Sequence, residues 1–345
     1  MIWLHRYATL VAAASLVLIV AGGLVTSTGS GLAVPDWPTS YGYFMFSFPF
    51  SNMVGGILYE HGHRLIASTV GALTVLLAAG VWRVDPRRWV KWLVVVALAA
   101  VVLQGILGGV TVLYFLPAPV SISHAGLAQI FFGLVVSLAL FTSPGWLRGY
   151  RATGSGGHDS APPVTDDQVL RRLAMATSVI IYVQILIGAT MRHTGAGLAI
   201  PDFPLAFGRV VPPDWNQAIF VHFAHRVGAL VTLVAILTTS GHVWAHHRSR
   251  KELTHPALLL VALVVSQIAL GGWTVLSGKA VAVNTAHVAT GALVLVTSLV
   301  LMLRAHHSRF PGAALLTRTA GVARATLPDT HPSSVVSLPS PEGRL

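Results

Sequence analysis

Four histidines occupy matching positions in the two halves of this chain, each near the start of a long apolar segment. They are His63, His124, His225 and His287. A polar side chain inside a membrane-length apolar segment is costly and usually has a function. A single such histidine would more often be a hydrogen-bonded packing residue. Because the same pair recurs in both halves, its chemistry is interpreted as ligation of iron or of another metal.

The amino-acid composition limits the kinds of metal or cofactor site that the chain can form. The chain has 16 histidines and no cysteine, which excludes disulfides, thiolate ligands and cysteine nucleophiles. Zinc prefers a tetrahedron of three or four protein ligands, and a further ligand would have to come from an exposed loop. Histidine is a standard axial ligand of heme iron, and helical bundles commonly hold cofactors between facing helices. The pattern favours one bis-histidine heme in each half.

An arginine directly follows one histidine of each pair, since Arg64 follows His63 and Arg226 follows His225. A guanidinium can pair with a carboxylate through two parallel hydrogen bonds. These arginines are therefore candidates for binding the heme propionates. The alternative is an anchor for lipid phosphate, because arginines near a membrane surface extend toward the headgroups.

The two halves differ at one position beside these histidines. Glu60 lies three residues before His63 and therefore on the same helix face, whereas His222 stands at the equivalent place before His225. A carboxylate beside only one pair predicts that the reaction occurs in the first half and that the second half holds a resident redox cofactor. The sequence assigns no role to three neighbouring histidines, His61, His193 and His222.

The elements that position these residues are long apolar runs. Of the 345 residues, 54% are hydrophobic and 10% are charged, against about 25% charged in soluble domains. A helix needs about 20 residues to cross a bilayer, and continuous runs favour helices over a closed barrel. We predict an all-α membrane protein with eight helices. Their apolar runs cover residues 8–26, 65–82, 92–113, 125–142, 173–191, 227–245, 257–276 and 288–303. A signal peptide after Arg6 is the alternative for the first run.

An internal repeat relates the two halves. "TGSGLAVPDWP" (28–38) returns as "TGAGLAIPDFP" (194–204), and "LQGILGGVTVL" (103–113) returns as "SQIALGGWTVL" (266–276). Four helices per half predict two pseudo-symmetric four-helix bundles in a parallel tandem repeat. We expect each turn-rich phrase to fold over one bundle mouth, with a plain interface loop as the alternative. The predicted boundaries are 1–142 and 171–307 for the bundles, 143–170 for a cytoplasmic linker and 308–345 for a disordered tail.

The positive charge predicts orientation in the membrane. The net charge is +11, and Lys and Arg concentrate in alternate loops, which is typical of the cytoplasmic side. Both termini are thus predicted to be cytoplasmic, and no nucleic-acid surface is indicated. The remaining histidines that fall in or beside cytoplasmic segments are expected to be solvated or to face the lipid headgroups. They are His5, His158, His242, His246, His247, His255, His306, His307 and His331.

Taken together, these motifs resemble the heme A synthase family of cytochrome oxidase assembly. The resemblance covers about residues 5–305. It rests on "TGSGLAVPDWP", on Glu60-x-x-His63-Arg64, on "VHFAHR" (221–226), and on His124 and His287. It implies heme b bound by His225 and His287, and heme o as substrate at His63 and His124 with Glu60 as the essential acid. Many bacterial members also have a cysteine pair in outer loops, and its absence here rules out a thiol step.

The implied reaction converts the C8 methyl group of heme o to a formyl group by two successive hydroxylations and loss of water. The resemblance further implies a multi-pass protein of the plasma membrane with its heme sites toward the outer side. A heme o synthase and an electron donor are expected partners, and a homo-oligomer is left open. A diheme b-type electron carrier or quinol oxidoreductase is the alternative function, although it would predict symmetric halves. A repeat-built transporter is disfavoured, because such proteins usually have broken helices at the membrane midplane, whereas the polar residues here cluster at the outer edge.

Overall fold

The computed structural model describes residues 1–147 and 167–310. Most of the predicted linker and nearly all of the predicted tail lie outside these residues. Within the described ranges, the structure is helical apart from its connecting loops, and β pairing is limited to two isolated bridges, Ser40–Tyr43 and Ala206–Arg209. The eight long helices are α1 (Ile2–Ser27), α2 (Gly56–Val84), α3 (Arg88–Leu113), α4 (Ala118–Phe141), α5 (Gln168–His193), α6 (Gln217–His246), α7 (Lys251–Leu276) and α8 (Val281–Ala305).

Each of these eight helices is long and apolar enough to cross a membrane. The prediction of an all-α fold with eight membrane-length helices is therefore confirmed. Many large apolar side chains point away from the helix contacts; Leu76, for example, is 61% exposed on α2. Exposed apolar surface on this scale is what a lipid environment would cover. The orientation of the helices and the cytoplasmic position of the termini stay predictions.

The helices extend well beyond the apolar runs in the sequence. For α2, helical structure begins at Gly56 and not at residue 65, so that Glu60, His61, His63 and Arg64 all lie within the first turns. Glu60 and His61 are buried there. Burial against the preceding loop allows polar residues to occupy helical positions that hydropathy alone assigns to a loop. The site residues consequently sit on a rigid element.

The helices pack as two four-helix groups. In the first group the contacts run around a ring from α1 to α2, α3, α4 and back to α1, and α5 to α8 repeat this arrangement. The ring makes α2 and α4 diagonal neighbours across the first bundle, and α6 and α8 diagonal neighbours across the second. The two groups meet where α1 and α4 pack against α8 and where α4 packs against α5.

A polar cluster joins the two groups. The Arg192 guanidinium at the end of α5 donates to the Gly23 carbonyl at 3.0 Å and to the Ser27 hydroxyl at 2.9 Å, both on α1. Asn284 and Thr285 of α8 donate to the same hydroxyl. Hydrogen bonds between helices hold a defined register where apolar packing alone would allow sliding.

Candidate functional site

His225 and His287 face each other across the second bundle. His225 lies about two turns into α6 and His287 about two turns into α8, and their ring centroids are 6.5 Å apart with an angle of 72° between the ring planes. An imidazole nitrogen bound to a metal lies about 2 Å from it, so two rings on opposite sides of one ion would have their centroids roughly 6 Å apart. The observed separation fits a single iron between the two rings.

Glycines on the neighbouring helices make room for these rings. A Cβ on Gly188 of α5 would lie 2.9 Å from Cε1 of His225, and a Cβ on Gly271 of α7 would lie 3.0 Å from Cε1 of His287. Distances this short would force the rings to move. The second bundle is therefore shaped around the two imidazoles, and the residues present fit a bis-histidine heme.

The first bundle repeats these glycine contacts around His63 on α2 and His124 on α4. A Cβ on Gly22 of α1 would lie 3.1 Å from Cε1 of His63, and Gly108 of α3 adjoins Cε1 of His124 at 3.4 Å. In the part of the chain that the structure describes, Nδ1 of both rings is buried without a hydrogen-bond partner. Buried polar atoms are normally paired, so rings left this way fit a site that is completed by a ligand.

Three glutamines that were not among the predicted site residues lie beside the histidines. Gln184 Nε2 donates to the His225 carbonyl at 2.8 Å and lies 3.0 Å from Nδ1 of the same ring. Gln104 Nε2 donates to the His124 carbonyl at 2.9 Å, and Gln267 Nε2 lies 3.4 Å from His287 Nε2. The repeat of glutamine in "LQGILGG" and "SQIALGG" was the signal that could have identified Gln104 and Gln267.

The α1–α2 loop (28–55) and the α5–α6 loop (194–216) are built around equivalent aspartates. Asp36 accepts hydrogen bonds from the backbone N–H groups of Tyr41 and Gly42 at 2.7 and 2.9 Å. Burial alone would raise the pKa of Asp36, but the hydrogen bonds from Gly42, Thr39 and Tyr41 outweigh it and lower the pKa below its ordinary value. The carboxylate therefore stays ionised and closes the turn.

In the α5–α6 loop, Asp202 accepts from the N–H groups of Phe207 and Gly208, both at 2.8 Å. These hydrogen bonds, the one from Gly208 first, lower the pKa of Asp202. Gly208 adopts a positive φ of 74°, as does Gly42 at 77°, and glycine takes this conformation without steric cost. The two phrases thus fold in the same way.

Arg64 connects helix α2 to the loop above it. Its Nη1 donates to the carbonyls of Asp36 at 2.7 Å and Thr39 at 3.0 Å, and its Nη2 donates to the carbonyl of Val34 at 2.9 Å. Nη2 also donates to Glu60 Oε1 at 2.7 Å. The hydrogens on both Nη atoms are therefore directed at the loop and at Glu60, and the N–H on Nε is the remaining donor.

Arg226 makes the equivalent contacts in the second half. Its Nη2 donates to the carbonyls of Ile200 at 3.2 Å and Asp202 at 2.6 Å, and its Nη1 donates to the carbonyl of Leu205 at 2.7 Å. Its guanidinium also lies 5.9 Å from the ring centroid of Phe203. The sequence predicted a cation beside one histidine of each pair, but it gave no indication that this cation also holds the loop.

Glu60 and His222, at which the two halves differ in sequence, each accept a hydrogen bond from the backbone of the loop in their own half. Glu60 Oε2 accepts from the backbone N–H of Val34 at 2.8 Å, and His222 Nδ1 accepts from the backbone N–H of Ile200 at 3.2 Å. Both side chains are buried. Among the described residues, only the first half adds a carboxylate to this place, where it forms an ion pair with Arg64.

One aromatic ring from each loop contacts a glycine on the third helix of its bundle. A Cβ on Gly109 of α3 would lie 2.5 Å from the Trp37 ring, and a Cβ on Gly272 of α7 would lie 2.7 Å from the Phe203 ring. Glycine is therefore required for the close approach of each ring to its helix. The expectation that each phrase folds back over its own bundle agrees with these contacts.

His61 belongs to the loop anchor and not to the ligand pair. Its Nδ1 lies 3.0 Å from the Ser40 hydroxyl, and its ring packs on Phe48 with the centroids 4.8 Å apart. His222 has its own anchoring contact with Ile200, as described above. The structure thereby gives roles in loop packing to two of the histidines that the sequence left unassigned.

Comparison with known proteins identifies the family of this chain. Residues 5–300 match the family model COX15-CtaA, described as cytochrome oxidase assembly protein. A protein of Symbiobacterium thermophilum named Heme A synthase is 32% identical over 75% of this chain and 81% of its own length. Proteins with the same name from Geobacillus kaustophilus and Halalkalibacterium halodurans are 27% and 28% identical, each over 82% of this chain.

Proposed function

Because this chain belongs to the COX15-CtaA family of cytochrome oxidase assembly proteins, we propose that it is a heme A synthase. In this proposal it is an oxidoreductase that converts the C8 methyl group of heme o to the formyl group of heme a. The observation that most supports it is the combination of two similar histidine pairs with a carboxylate at only one of them. Two similar histidine pairs that differ in a carboxylate are expected if one site holds a resident cofactor and the other holds the substrate.

In the second bundle, His225 and His287 would hold heme b, which supplies one-electron transfer when it is bound. The 6.5 Å separation of their rings and the glycines beside them support this assignment. Gln184 would fix the position of His225, since the Gln184 amide donates to the His225 backbone carbonyl. At the position equivalent to Gln184 the first half has Leu18, so this support is specific to the second site.

In the first bundle, His63 and His124 would bind the substrate heme o. Glu60 lies about one turn before His63 on α2, and its carboxylate is held on one side by Arg64 and on the other by the Val34 N–H. A carboxylate fixed in this way can stabilise positive charge that develops nearby. It can also accept a proton from an attacking water or from a hydrated aldehyde that loses water.

The arginines would act on both the loop and the porphyrin. Arg226 donates to three loop carbonyls with its two Nη atoms, which leaves the N–H on Nε and one hydrogen on Nη1 for a heme b propionate. Arg64 would offer its Nε to the substrate propionate in the same manner. Since the same guanidinium would hold both the loop and the heme, closure of the loop and binding of the porphyrin would be coupled.

The proposed setting is the plasma membrane, with both termini cytoplasmic and both heme sites toward the outer side. Heme o would arrive from a heme o synthase, and an electron donor would be a second partner. The eight membrane-length helices and the concentration of Lys and Arg in alternate loops support this orientation.

The proposal is tested by extraction of hemes from cells that make heme o but lack their own heme A synthase. Expression of this chain should give heme a, and the purified protein should retain heme b together with heme o or heme a. A diheme electron carrier, which the repeated histidine pairs would equally suit, would give heme b alone and no heme a. That outcome would overturn the proposal.

A further inference from the structure

A second group of ligand-type side chains lies at the opposite end of the second bundle. Asp167 directly precedes α5, His242 lies in the last turns of α6, and His247 directly follows α6. His242 is 17 residues beyond His225 along α6, which is about 25 Å at 1.5 Å per residue. The group is therefore separate from the proposed heme sites. His247 was predicted to be solvated or to face the lipid headgroups, and this prediction is wrong because the residue is buried.

The three side chains converge on one carboxylate oxygen. His242 Nε2 lies 2.8 Å and His247 Nε2 lies 2.7 Å from Asp167 Oδ2, and one ligand atom from each residue lies within 4.8 Å of the other two. The other oxygen, Oδ1, accepts from the Leu170 N–H at 2.8 Å and fixes the carboxylate as the helix cap. The side chains are between 7% and 19% exposed. This is a formed, mostly desolvated group of three donors.

The geometry points to a binding site for a divalent transition-metal ion, and we propose Zn²⁺ as the ion that fits it best. Two imidazoles and one carboxylate form a donor set that zinc accepts, with metal–ligand distances of about 2.0–2.2 Å. Ligand atoms around a tetrahedral ion are then about 3.3–3.6 Å apart. The two nitrogens would need to retreat from Oδ2 by less than about 1 Å to admit the ion.

Two further features favour a cation over an empty hydrogen-bonded cluster. The C-terminus of α6 carries the negative end of the helix dipole, which attracts positive charge. The partial exposure of the cluster leaves a path for the ion and for a water molecule as fourth ligand. Hard cations such as Mg²⁺ and Ca²⁺ prefer all-oxygen sites, so the two nitrogen donors select a transition metal.

The chain also contains a matched control. His246 stacks on His242 with ring centroids 4.3 Å apart, and its Nδ1 faces the His242 backbone carbonyl at 3.1 Å. It is thus a histidine beside the cluster whose ring does not point at Asp167. For Asp167, asparagine is an equally good helix cap, so that the substitution Asp167→Asn removes the charge while keeping the start of α5.

The experiment uses the full-length, tag-free protein in detergent, with non-heme metal removed by a chelator and heme b retained. Zn²⁺ is titrated against a chromophoric chelator, and Co²⁺ absorption reports the coordination. Wild type and His246→Ala should bind one ion per chain. Asp167→Asn and His247→Gln should bind it at least about 100-fold more weakly, since loss of even an outer-shell partner costs about 10–100-fold.

An unchanged heme b spectrum in each variant establishes that the bundle is intact, which makes the comparison independent of the heme A synthase assignment. If the wild-type chain binds no Zn²⁺ in competition, the group is a histidine–carboxylate cluster without a metal and the proposal is wrong. Equal affinity in wild type, Asp167→Asn and His247→Gln would likewise overturn it, because the ion would then lie on other surface histidines.

Discussion

Glu60 and Arg64 form an ion pair beneath the α1–α2 loop, with Oε1 of the glutamate 2.7 Å from Nη2 of the arginine. The two side chains are 5% and 10% exposed. Removal of one partner from a buried ion pair costs about 3–5 kcal/mol, because the remaining charge is left uncompensated. A test of Glu60 in catalysis must therefore distinguish a lower rate of reaction from the loss of stability that follows when the Glu60–Arg64 ion pair is broken.

Replacement of His287 by alanine should remove heme b while the helices remain folded. The His287 ring faces that of His225 across the bundle, and in our proposal it would hold the heme iron. We expect heme b retention to fall at least about tenfold. The absorption spectrum of the purified protein at equal protein concentration measures this.

The matched control is His63→Ala, which alters the equivalent position in the first bundle. It should keep heme b and lose binding of heme o. A full b-type spectrum in His287→Ala would show that the ligands lie elsewhere.

Replacement of Arg226 should separate its two proposed tasks. Lysine keeps a positive charge but cannot donate to three carbonyls in a fork, and glutamine keeps neither property. Hydrogen exchange of residues 200–205 should therefore rise in both Arg226→Lys and Arg226→Gln. Heme b retention should fall more in Arg226→Gln than in Arg226→Lys, because only lysine can still pair with a propionate.

Arg209→Gln is the control, since Arg209 is an exposed arginine of the same loop. Hydrogen exchange of residues 200–205 and heme b retention should both stay at the wild-type level in this variant. If hydrogen exchange were faster in Arg226→Lys and Arg226→Gln but heme b retention were equal in these two variants, Arg209→Gln and the wild type, Arg226 would only hold the loop.

Substitution of Gly109 by alanine should displace Trp37 from its place on α3. The added Cβ would lie 2.5 Å from the ring, and overpacking of this kind costs about 1–3 kcal/mol. We expect a lower thermal midpoint and a lower yield of heme a. At Gly105, on the same helix, no atom of the described residues lies within 4 Å of an added Cβ, so Gly105→Ala should not lower either quantity.

A double-mutant cycle tests whether the contact itself is responsible. In Trp37→Ala/Gly109→Ala the clash is absent, so the two substitutions should couple by about 0.5–3 kcal/mol. Strict additivity of their effects on the thermal midpoint would contradict a direct contact.

The sequence was informative about elements with strong periodicity or repetition. Continuous apolar runs predicted all eight long helices, since a helix is the simplest way to pair every backbone group in lipid. Repetition also drew attention to Asp36 and Asp202 as equivalent turn residues. Each aspartate accepts hydrogen bonds from the backbone N–H groups five and six residues later. This equivalence follows from the shared local sequence.

Contacts between a loop and a distant helix could not be predicted in the same way. The spacing of Glu60 and Arg64 permits an i,i+4 pair, but the path of the loop decides that Arg64 also meets three carbonyls. The group of Asp167, His242 and His247 combines residues far apart in the chain, and hydropathy placed them in solvated segments. Tertiary packing alone brings them together.

Replacement of Glu60 by glutamine should abolish turnover without disturbing heme b. Glutamine has one carbonyl oxygen, so it can keep only one of the two hydrogen bonds that Oε1 and Oε2 of Glu60 accept from Arg64 and from the Val34 N–H. Arg64 still donates to the carbonyls of Val34, Asp36 and Thr39, so we expect the loop to stay in place even though the buried charge is lost. General acid–base catalysis contributes about 10²–10⁴-fold, and the yield of heme a should therefore fall by at least about 100-fold. Heme o or a hydroxylated intermediate should accumulate instead, as measured by extraction of hemes from cells that supply heme o.

Two readouts distinguish this outcome from damage to the fold. The heme b content of Glu60→Gln should equal that of the wild type, because the second bundle has its own ligands and its own loop. His222→Gln alters the equivalent position of that bundle, where no carboxylate lies, and it should leave heme a synthesis above the level of Glu60→Gln. Wild-type yields of heme a from Glu60→Gln would remove the Glu60 carboxylate from the reaction, and the two histidine pairs would then be better explained as an electron-transfer chain.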